Sequence, residues 1–154
     1  MDVGDKFPDF KLKNHKNEEI SSSELKGKKY LIFAYPRALT PGCTKEACSV
    51  RDYYQELTKR GFIPFGISND TPDKNMKFVE KHNLQYDLLC DEDSILLSKI
   101  GAFGEKNIYG KKTTGTFRYT YIIDNEGVLR KIFKKVNTDM HGEELIKAID
   151  ELGI

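Results

Sequence analysis

Two cysteines near the start of a predicted helix are the residues of this sequence best suited to do chemistry. Cys43 and Cys48 lie in the stretch YPRALTPGCTKEAC, which covers residues 35–48. The apolar run Tyr30–Tyr35 is typical of a strand buried on both faces, and apolar residues then recur at helical spacing over Cys43–Arg60. We therefore expect Cys43 in the first turn of a helix, where unpaired backbone N–H groups and the helix dipole favour a thiolate.

A reactive thiol is one of two interpretations of Cys43 that the residues alone allow. Arg37, Lys45 and Arg51 are close in sequence and would stabilise a thiolate if they face it, but not if they face solvent. Cys43 also belongs to the apolar stripe of the predicted helix, and free cysteines are among the most buried residue types. A packed, inert thiol therefore explains its position equally well.

Cys48 is placed differently by the helical period. Five residues rotate the helix by about 140° beyond one turn and rise about 7.5 Å, which puts Cys48 on the polar side, where packing does not explain a cysteine. A disulfide needs α-carbons within about 7 Å and converging β-carbons. Cys43 and Cys48 thus cannot bond while the helix is intact, and a bond requires its first turns to unwind. An incidental surface thiol is the alternative for Cys48.

Other chemistries find little support in the sequence. The C-x4-C spacing lacks a second Cys/His pair, so we expect no metal site, and the absence of C-x-x-C argues against a thioredoxin-type dithiol. His15, His82 and His141 are scattered, and we interpret them as solvated polar residues. The stretch 104–115 contains a partial phosphate-loop pattern, but its glycine gap is wrong and we expect a polar loop there.

The elements that must position these cysteines are predicted by the apolar pattern. It gives the order β-hairpin, β, α, β, α, β, α, β-hairpin, α, which is typical of a mixed sheet covered by helices. The last hairpin joins Thr116–Ile123 to Val128–Val136, and Gly142–Leu152 is expected to be the closing helix. With no internal repeat or linker, we expect a single domain over residues 1–154.

Composition limits where the protein works and what it binds. Lys plus Arg number 25 against 24 Asp plus Glu, a net charge of +1, which argues against binding nucleic acid or an anionic membrane surface. No apolar run approaches the roughly 20 residues of a membrane span, and we see no signal peptide in Met1–Phe10. Three cysteines suit a reducing compartment, so we expect a cytoplasmic protein. We also expect no cofactor.

The motif around Cys43 resembles the peroxiredoxin signature Pro-x-x-x-Thr-x-x-Cys, present here as Pro36, Thr40 and Cys43. The longer stretch, with Cys48 five residues on, is similar to the bacterioferritin comigratory protein or PrxQ subfamily. Arg118, followed by YTYIID, matches the distant arginine of the family. The resemblance covers nearly the whole chain and implies a thioredoxin-like fold, with a central mixed sheet, flanking helices and an N-terminal β-hairpin.

The resemblance also implies a thiol peroxidase and gives each site residue a role. A Cys43 thiolate would attack hydrogen peroxide or an organic hydroperoxide and become a sulfenic acid. Thr40, Arg118 and the backbone N–H groups of Gly42 and Cys43 would bind the peroxide oxygens. Pro36 would shield the thiolate from water.

For Cys48 the resemblance implies a resolving cysteine, which would form a disulfide with Cys43. Thioredoxin or a glutaredoxin-like dithiol would reduce that disulfide, and the subfamily resemblance suggests a monomer. Cys90 has no counterpart in the motif and is expected to be a packed core thiol. Two alternatives stay open: a one-cysteine peroxidase with Cys48 idle, and a non-catalytic thioredoxin-like module for redox sensing or binding.

Overall fold

A seven-stranded mixed sheet forms the centre of the molecule in this computed structural model, which describes residues Met1–Ile154. The strands are β1 Lys11–Asn14, β2 Glu19–Ser21, β3 Lys29–Ala34, β4 Phe62–Ser68, β5 Asp87–Cys90, β6 Phe103–Ile108, β7 Lys111–Thr116, β8 Thr120–Ile123 and β9 Leu129–Phe133. Seven of them follow the order β2-β1-β5-β4-β3-β8-β9, and β6 pairs with β7 in a separate small sheet. The predicted α/β class with a mixed sheet and an N-terminal hairpin is confirmed.

Five helices accompany the sheet. They are α1 Pro41–Asp52, α2 Tyr54–Lys59, α3 Pro72–His82, α4 Ile95–Lys99 and α5 His141–Leu152, and a short 3₁₀ turn covers Ser22–Leu25. No helix is long and apolar enough to cross a membrane.

Strand β3 is the strand on which the site is built. It pairs in parallel with β4 and antiparallel with β8, so it is hydrogen-bonded on both edges. Its side chains also alternate between two cores: Ile32 packs with one cluster, whereas Leu31 and Phe33 pack with the cluster that contains Cys43. Burial on both faces explains why the run has no polar alternation. Each such side chain contributes about 1.5–3 kcal/mol through the hydrophobic effect.

The single helix predicted over Cys43–Arg60 is wrong in its extent. Helix α1 begins two residues earlier, at Pro41, and ends at Asp52; Tyr53 leaves helical geometry at φ −103° and ψ 11° before α2 begins. Helix α5 packs closely at this break, because a β-carbon on Gly142 would lie 2.6 Å from the carbonyl oxygen of Ser49. The break coincides with a tertiary contact that local periodicity does not contain.

The polar loop predicted over Gly104–Gly115 is also wrong. Strands β6 and β7 form a regular hairpin there, with Ile108 opposite Lys111. Tyr109 and Gly110 both have positive φ, 51° and 79°, as the tight two-residue turns that match strand twist require. Both strands are largely exposed, so they lack the apolar alternation by which strands are usually found.

The strand predicted over Thr116–Ile123 is divided in two. Thr116 ends β7, whereas β8 begins at Thr120. Arg118 lies in the short link between them, close to the central strand β3.

Candidate active site

The start of α1 places Cys43 at the carboxyl end of strand β3. Thr40 is the N-cap in extended geometry, and Pro41 is the first helical residue, a position that suits proline because its missing N–H has no partner there. Cys43 is the third residue of the helix and only 1% exposed. The backbone N–H groups of Gly42 and Cys43 donate to no protein acceptor, so they are available to a ligand at the helix start.

The loop between β3 and α1 is tied to the neighbouring strand. The backbone N–H of Ala38 donates to the Asp70 carboxylate at 2.7 Å, and the Ser68 hydroxyl donates to the same oxygen at 3.0 Å. Leu39 has a positive φ of 65°, an uncommon conformation for a residue with a β-carbon. These contacts hold the loop in the shape that sets the direction of α1.

Arg118 is brought against Cys43 by the link that precedes β8, the strand paired with β3. Its Nη2 lies 3.3 Å from Cys43 Sγ, and its Nη1 donates to Glu46 Oε1 at 2.9 Å. Burial alone would lower the pKa of Arg118, but the anionic forms of Cys43 and Glu46 raise it, so the guanidinium stays charged. A β-carbon at position 42 would lie 3.2 Å from Arg118 Nη2, so a larger residue there would require the guanidinium to shift.

Glu46 is a fully buried carboxylate behind the thiol. One oxygen, Oε1, accepts from Arg118, whereas Oε2 has no hydrogen-bond partner. Oε2 lies 3.7 Å from Nε2 of His141, which is also fully buried. Burial raises the pKa of Glu46 to about 7, although Arg118 opposes the rise.

The interpretation of the histidines as solvated is wrong for two of the three. His141 is enclosed at the start of α5, where Nε2 contacts Thr120 Oγ1 at 2.9 Å and Nδ1 contacts Glu144 Oε1 at 3.1 Å. Burial lowers its pKa, although the Glu144 carboxylate opposes the fall. His15 is buried too, and its Nδ1 accepts the backbone N–H of Leu88 at 3.3 Å. Both rings satisfy long-range hydrogen bonds that sequence position does not reveal.

Glu46 and His141 are the polar groups of the site that sequence reasoning missed. A signal for Glu46 was present: it lies three residues after Cys43, so the helical period puts both on the same buried face. A carboxylate on an apolar stripe requires a partner, and Arg118 provides it from 72 residues away. Nothing in the sequence marks His141 in the same way.

The remaining predicted site residues flank the thiol. The Thr40 hydroxyl donates to the carbonyl oxygen of Arg37 at 2.8 Å and does not hydrogen-bond Cys43. Pro36 follows β3 and is half-buried at the start of the loop. The structure thus brings Arg118 and Gly42 against Cys43, with Thr40 at the cap and Pro36 further back along the loop.

Cys48 and Cys90 differ in their surroundings. Cys48 is half-buried in the second turn of α1 and is a free thiol, as is Cys43. Burial raises the pKa of Cys48, and Arg51 offsets part of the rise. Cys90 is 5% exposed, and the Asn75 amide donates to its sulfur at 3.2 Å, which confirms the prediction of a packed core thiol.

No cluster of His, Cys, Asp and Glu suitable for a metal ion is present.

Comparison with known proteins adds independent information. Residues 3–132 match the model of the AhpC/TSA family. The chain is 41% identical to a bcp protein of Coxiella burnetii, over 95% of this chain and 97% of the relative. It is 36% identical to peroxiredoxin Bcp of Escherichia coli K12, over 98% of this chain and 97% of the relative.

Solved structures show the same fold. The bacterioferritin comigratory protein of Xanthomonas campestris, studied for its alkyl peroxide reduction activity, superposes with a TM-score of 0.88 at 26% identity, over 94% of this chain and 92% of that one. PrxQ of Xylella fastidiosa, as a cysteine-to-serine mutant, superposes with a TM-score of 0.93 at 20% identity, over 100% of this chain and 98% of that one.

Proposed function

The chain belongs to the AhpC/TSA family as a peroxiredoxin of the Bcp and PrxQ type and is a thiol-dependent peroxidase, and we propose that Cys43 is its peroxidatic cysteine. One observation carries this assignment. The guanidinium of Arg118 lies 3.3 Å from Cys43 Sγ, at a helix start whose N–H groups are unpaired. A cation and oriented amides beside a sulfur are what a thiolate nucleophile needs.

The reaction follows from these groups. The Cys43 thiolate attacks the terminal peroxide oxygen, so that an S–O bond forms as the O–O bond breaks. Sulfur is oxidised to a sulfenic acid, and the departing oxygen takes the electron pair and is protonated to water or an alcohol. Arg118 and the N–H groups of Gly42 and Cys43 stabilise the charge that moves onto the leaving oxygen.

Thr40 accepts a hydrogen bond from the peroxide rather than donating one. Its hydroxyl proton is used on the Arg37 carbonyl oxygen, so its oxygen is left to accept a hydrogen bond. The O–H group of a hydroperoxide is a suitable donor, and accepting from it would orient the terminal oxygen towards the sulfur. Pro36 lacks an N–H and adds an apolar wall to the loop.

Cys48 is proposed as the resolving cysteine. Its thiol condenses with the Cys43 sulfenic acid, which releases water and forms a disulfide. The two residues lie five apart in the intact helix α1, so the segment between them must unwind first. Thioredoxin or a glutaredoxin-like dithiol then reduces the disulfide by exchange. We also propose that the enzyme acts as a monomer in the reducing cytoplasm.

Intact-mass analysis after one equivalent of hydrogen peroxide tests this assignment. We expect the wild type to lose about 2 Da as the disulfide forms, and Cys48→Ser to gain about 16 Da at Cys43. Cys90→Ser is the matched control and should behave as the wild type. Failure of both mass changes would overturn the assignment of Cys43.

A turnover assay separates the two-cysteine cycle from the one-cysteine alternative. Cys48→Ser should lose turnover with thioredoxin as reductant while still reacting once with peroxide. Full turnover of Cys48→Ser would instead show that an external thiol reduces the Cys43 sulfenic acid directly. Substrate range is tested with hydrogen peroxide and an alkyl hydroperoxide, the latter because the Xanthomonas campestris relative was studied for alkyl peroxide reduction.

A further inference from the structure

The proposed reaction does not use the two fully buried groups behind Arg118, the Glu46 carboxylate and the His141 imidazole. Both side chains are 0% exposed, and Glu46 Oε2 faces His141 Nε2 at 3.7 Å. Oε2 is one of only two buried side-chain polar atoms without a hydrogen-bond partner. Buried polar atoms are normally paired, so this one requires an explanation.

The hydrogen bonds of His141 fix which atoms face each other. The Glu144 carboxylate can only accept, so Nδ1 of His141 carries the proton and donates to it at 3.1 Å. In the neutral ring Nε2 is then an acceptor, and it takes the hydroxyl proton of Thr120 at 2.9 Å. Nε2 has a single lone pair, so while the Thr120 hydroxyl donates to it, neither Glu46 Oε2 nor Nε2 carries a proton at their 3.7 Å contact. A proton on Glu46 Oε2, or on Nε2 with the Thr120 hydroxyl then accepting, would remove the repulsion between the two atoms.

The charges around Arg118 also favour one added proton. Arg118 is the cation that contacts both Cys43 and Glu46. With a thiolate and a carboxylate both present, this one cation contacts two buried anions, which is unfavourable. One added proton brings the summed charge of Cys43, Glu46 and Arg118 to zero; the Glu144 carboxylate at His141 Nδ1 is partly exposed and stands outside this sum. Once Cys43 is oxidised, its negative charge is gone and Arg118 balances the Glu46 carboxylate by itself.

We propose that Glu46 and His141 share a single buried proton, which is held while Cys43 is a thiolate and is released when peroxide oxidises Cys43. The groups that face the pair are Arg118 before β8, Thr120 on β8, Glu144 on α5 and the ring of Phe133 on β9. Burial raises the pKa of Glu46 to about 7 and lowers the pKa of His141, which favours a neutral carboxylic acid beside a neutral ring when the pair holds one proton. This inference rests on Cys43 being the peroxidatic cysteine.

The proton balances the chemistry of the first step. The Cys43 thiolate and the hydroperoxide give a sulfenic acid and an alkoxide or hydroxide, which needs one proton to become an alcohol or water. The pair releases one proton in the same step, so oxidation takes none from the solvent overall. No direct path between the two sites is required, since water can carry both transfers.

Infrared difference spectroscopy tests the proposal on Cys48→Ser, which stops at the sulfenic acid. The spectrum of the reduced protein minus that of the oxidised protein should contain a positive neutral carboxylic acid band or positive imidazolium ring bands. The carboxylic acid band should be absent in the Glu46→Gln form of this protein, and any ring bands should be absent in the His141→Gln form. Asp91→Asn removes another buried carboxylate, one that accepts the Leu97 N–H, and should leave the difference spectrum unchanged.

Proton uptake in weakly buffered solution provides a second, independent measurement. With the thiolate verified by its ultraviolet absorbance, Cys48→Ser with Glu46→Gln should take up about one proton per Cys43 oxidised. Cys48→Ser alone should take up clearly less. Equal uptake, or a difference spectrum without these bands, would overturn the proposal. Mass analysis of the same samples separates this failure from failure of the assignment of Cys43, because it reports oxidation at Cys43 directly.

Discussion

The two buried cysteines of this protein, Cys43 and Cys90, have almost the same exposure and very different surroundings. Each is 5% exposed or less and receives a nitrogen donor within 3.3 Å. The donor to Cys43 is the charged guanidinium of Arg118, whereas the donor to Cys90 is the neutral amide of Asn75. Cys43 also lies at a helix start, but Cys90 ends strand β5. Burial therefore does not distinguish the two thiols; the charged donor and the unpaired N–H groups do, and the proposed function assigns the reaction to Cys43 on that basis.

Replacement of each cysteine by serine should give the largest difference in kcat/KM between the two positions. Cys43→Ser is expected to lower kcat/KM for peroxide by about 10³-fold or more, because a serine hydroxyl does not ionise to a nucleophile at neutral pH. Cys90→Ser should keep kcat/KM within about threefold, at most with lower stability. Peroxide consumption with saturating reductant measures both, and comparable losses would show that Cys90 takes part in the chemistry.

Removal of each donor should sharpen the contrast. Arg118→Met is expected to lower kcat/KM by about 10²–10³-fold, the usual cost of losing an electrostatic donor to the transition state. Asn75→Ala should instead cost about 1–3 kcal/mol of unfolding free energy, because it leaves the buried Tyr35 hydroxyl unpaired, with little change in kcat/KM. Single-turnover rates with hydrogen peroxide and urea unfolding separate these two effects.

The Glu46 carboxylate should give the Cys43 region a pH-dependent stability that the Cys90 region lacks. Burial raises the pKa of Glu46 from 4.5 to about 7, so its protonated form is the one favoured by folding. Its contribution is complete below pH 4.5 and is lost as pH rises through 7, about 3 kcal/mol in total. Urea unfolding across this interval should show the fall in the wild type and in Cys90→Ser, and lack it in Glu46→Gln.

Two glycines should give the smallest and most specific effects. Gly42→Ala is expected to lower kcat/KM by about tenfold, because its β-carbon would lie 3.2 Å from Arg118 Nη2 and displace the guanidinium by a few tenths of an ångström. Gly66→Ala should affect stability instead, by about 1–3 kcal/mol, because its β-carbon would lie 2.7 Å from Leu88 Cδ2 in the core. Gly42→Ala should lower activity without shifting the urea midpoint.

Features that depend on local sequence could be predicted, whereas features that depend on long-range contacts could not be predicted from the residue pattern. The position of Cys43 in the first helical turn follows from an apolar strand, a proline and a helical period, all within a few residues. The contact with Arg118 is not local, and only the family resemblance indicated it. Burial of Glu46 and His141 depends on partners in other elements, so neither the helical period nor composition could assign those partners.

The errors in secondary structure have the same origin. Tyr53 interrupts the predicted helix at the point where Gly142 of α5 packs closely. The hairpin β6–β7 was missed for a different reason: it is exposed and covers little of the core, so its strands carry charged and polar residues where buried strands carry apolar ones. Apolar patterning detects strands by what they bury, and this hairpin buries little.

The break at Tyr53 sets a boundary for the rearrangement that would join Cys43 to Cys48. The Ser49 hydroxyl accepts the Gly142 N–H at 2.9 Å, so α5 holds the helix immediately after Cys48. Unwinding that begins at Pro41 can therefore stop before Ser49 and does not need to spread into α2 or the sheet. The part of the molecule that changes shape between the reduced and disulfide forms is then about two helical turns, Pro41–Cys48. In the proposed cycle a reductant would distinguish the two forms by this short segment, against a scaffold that does not need to change.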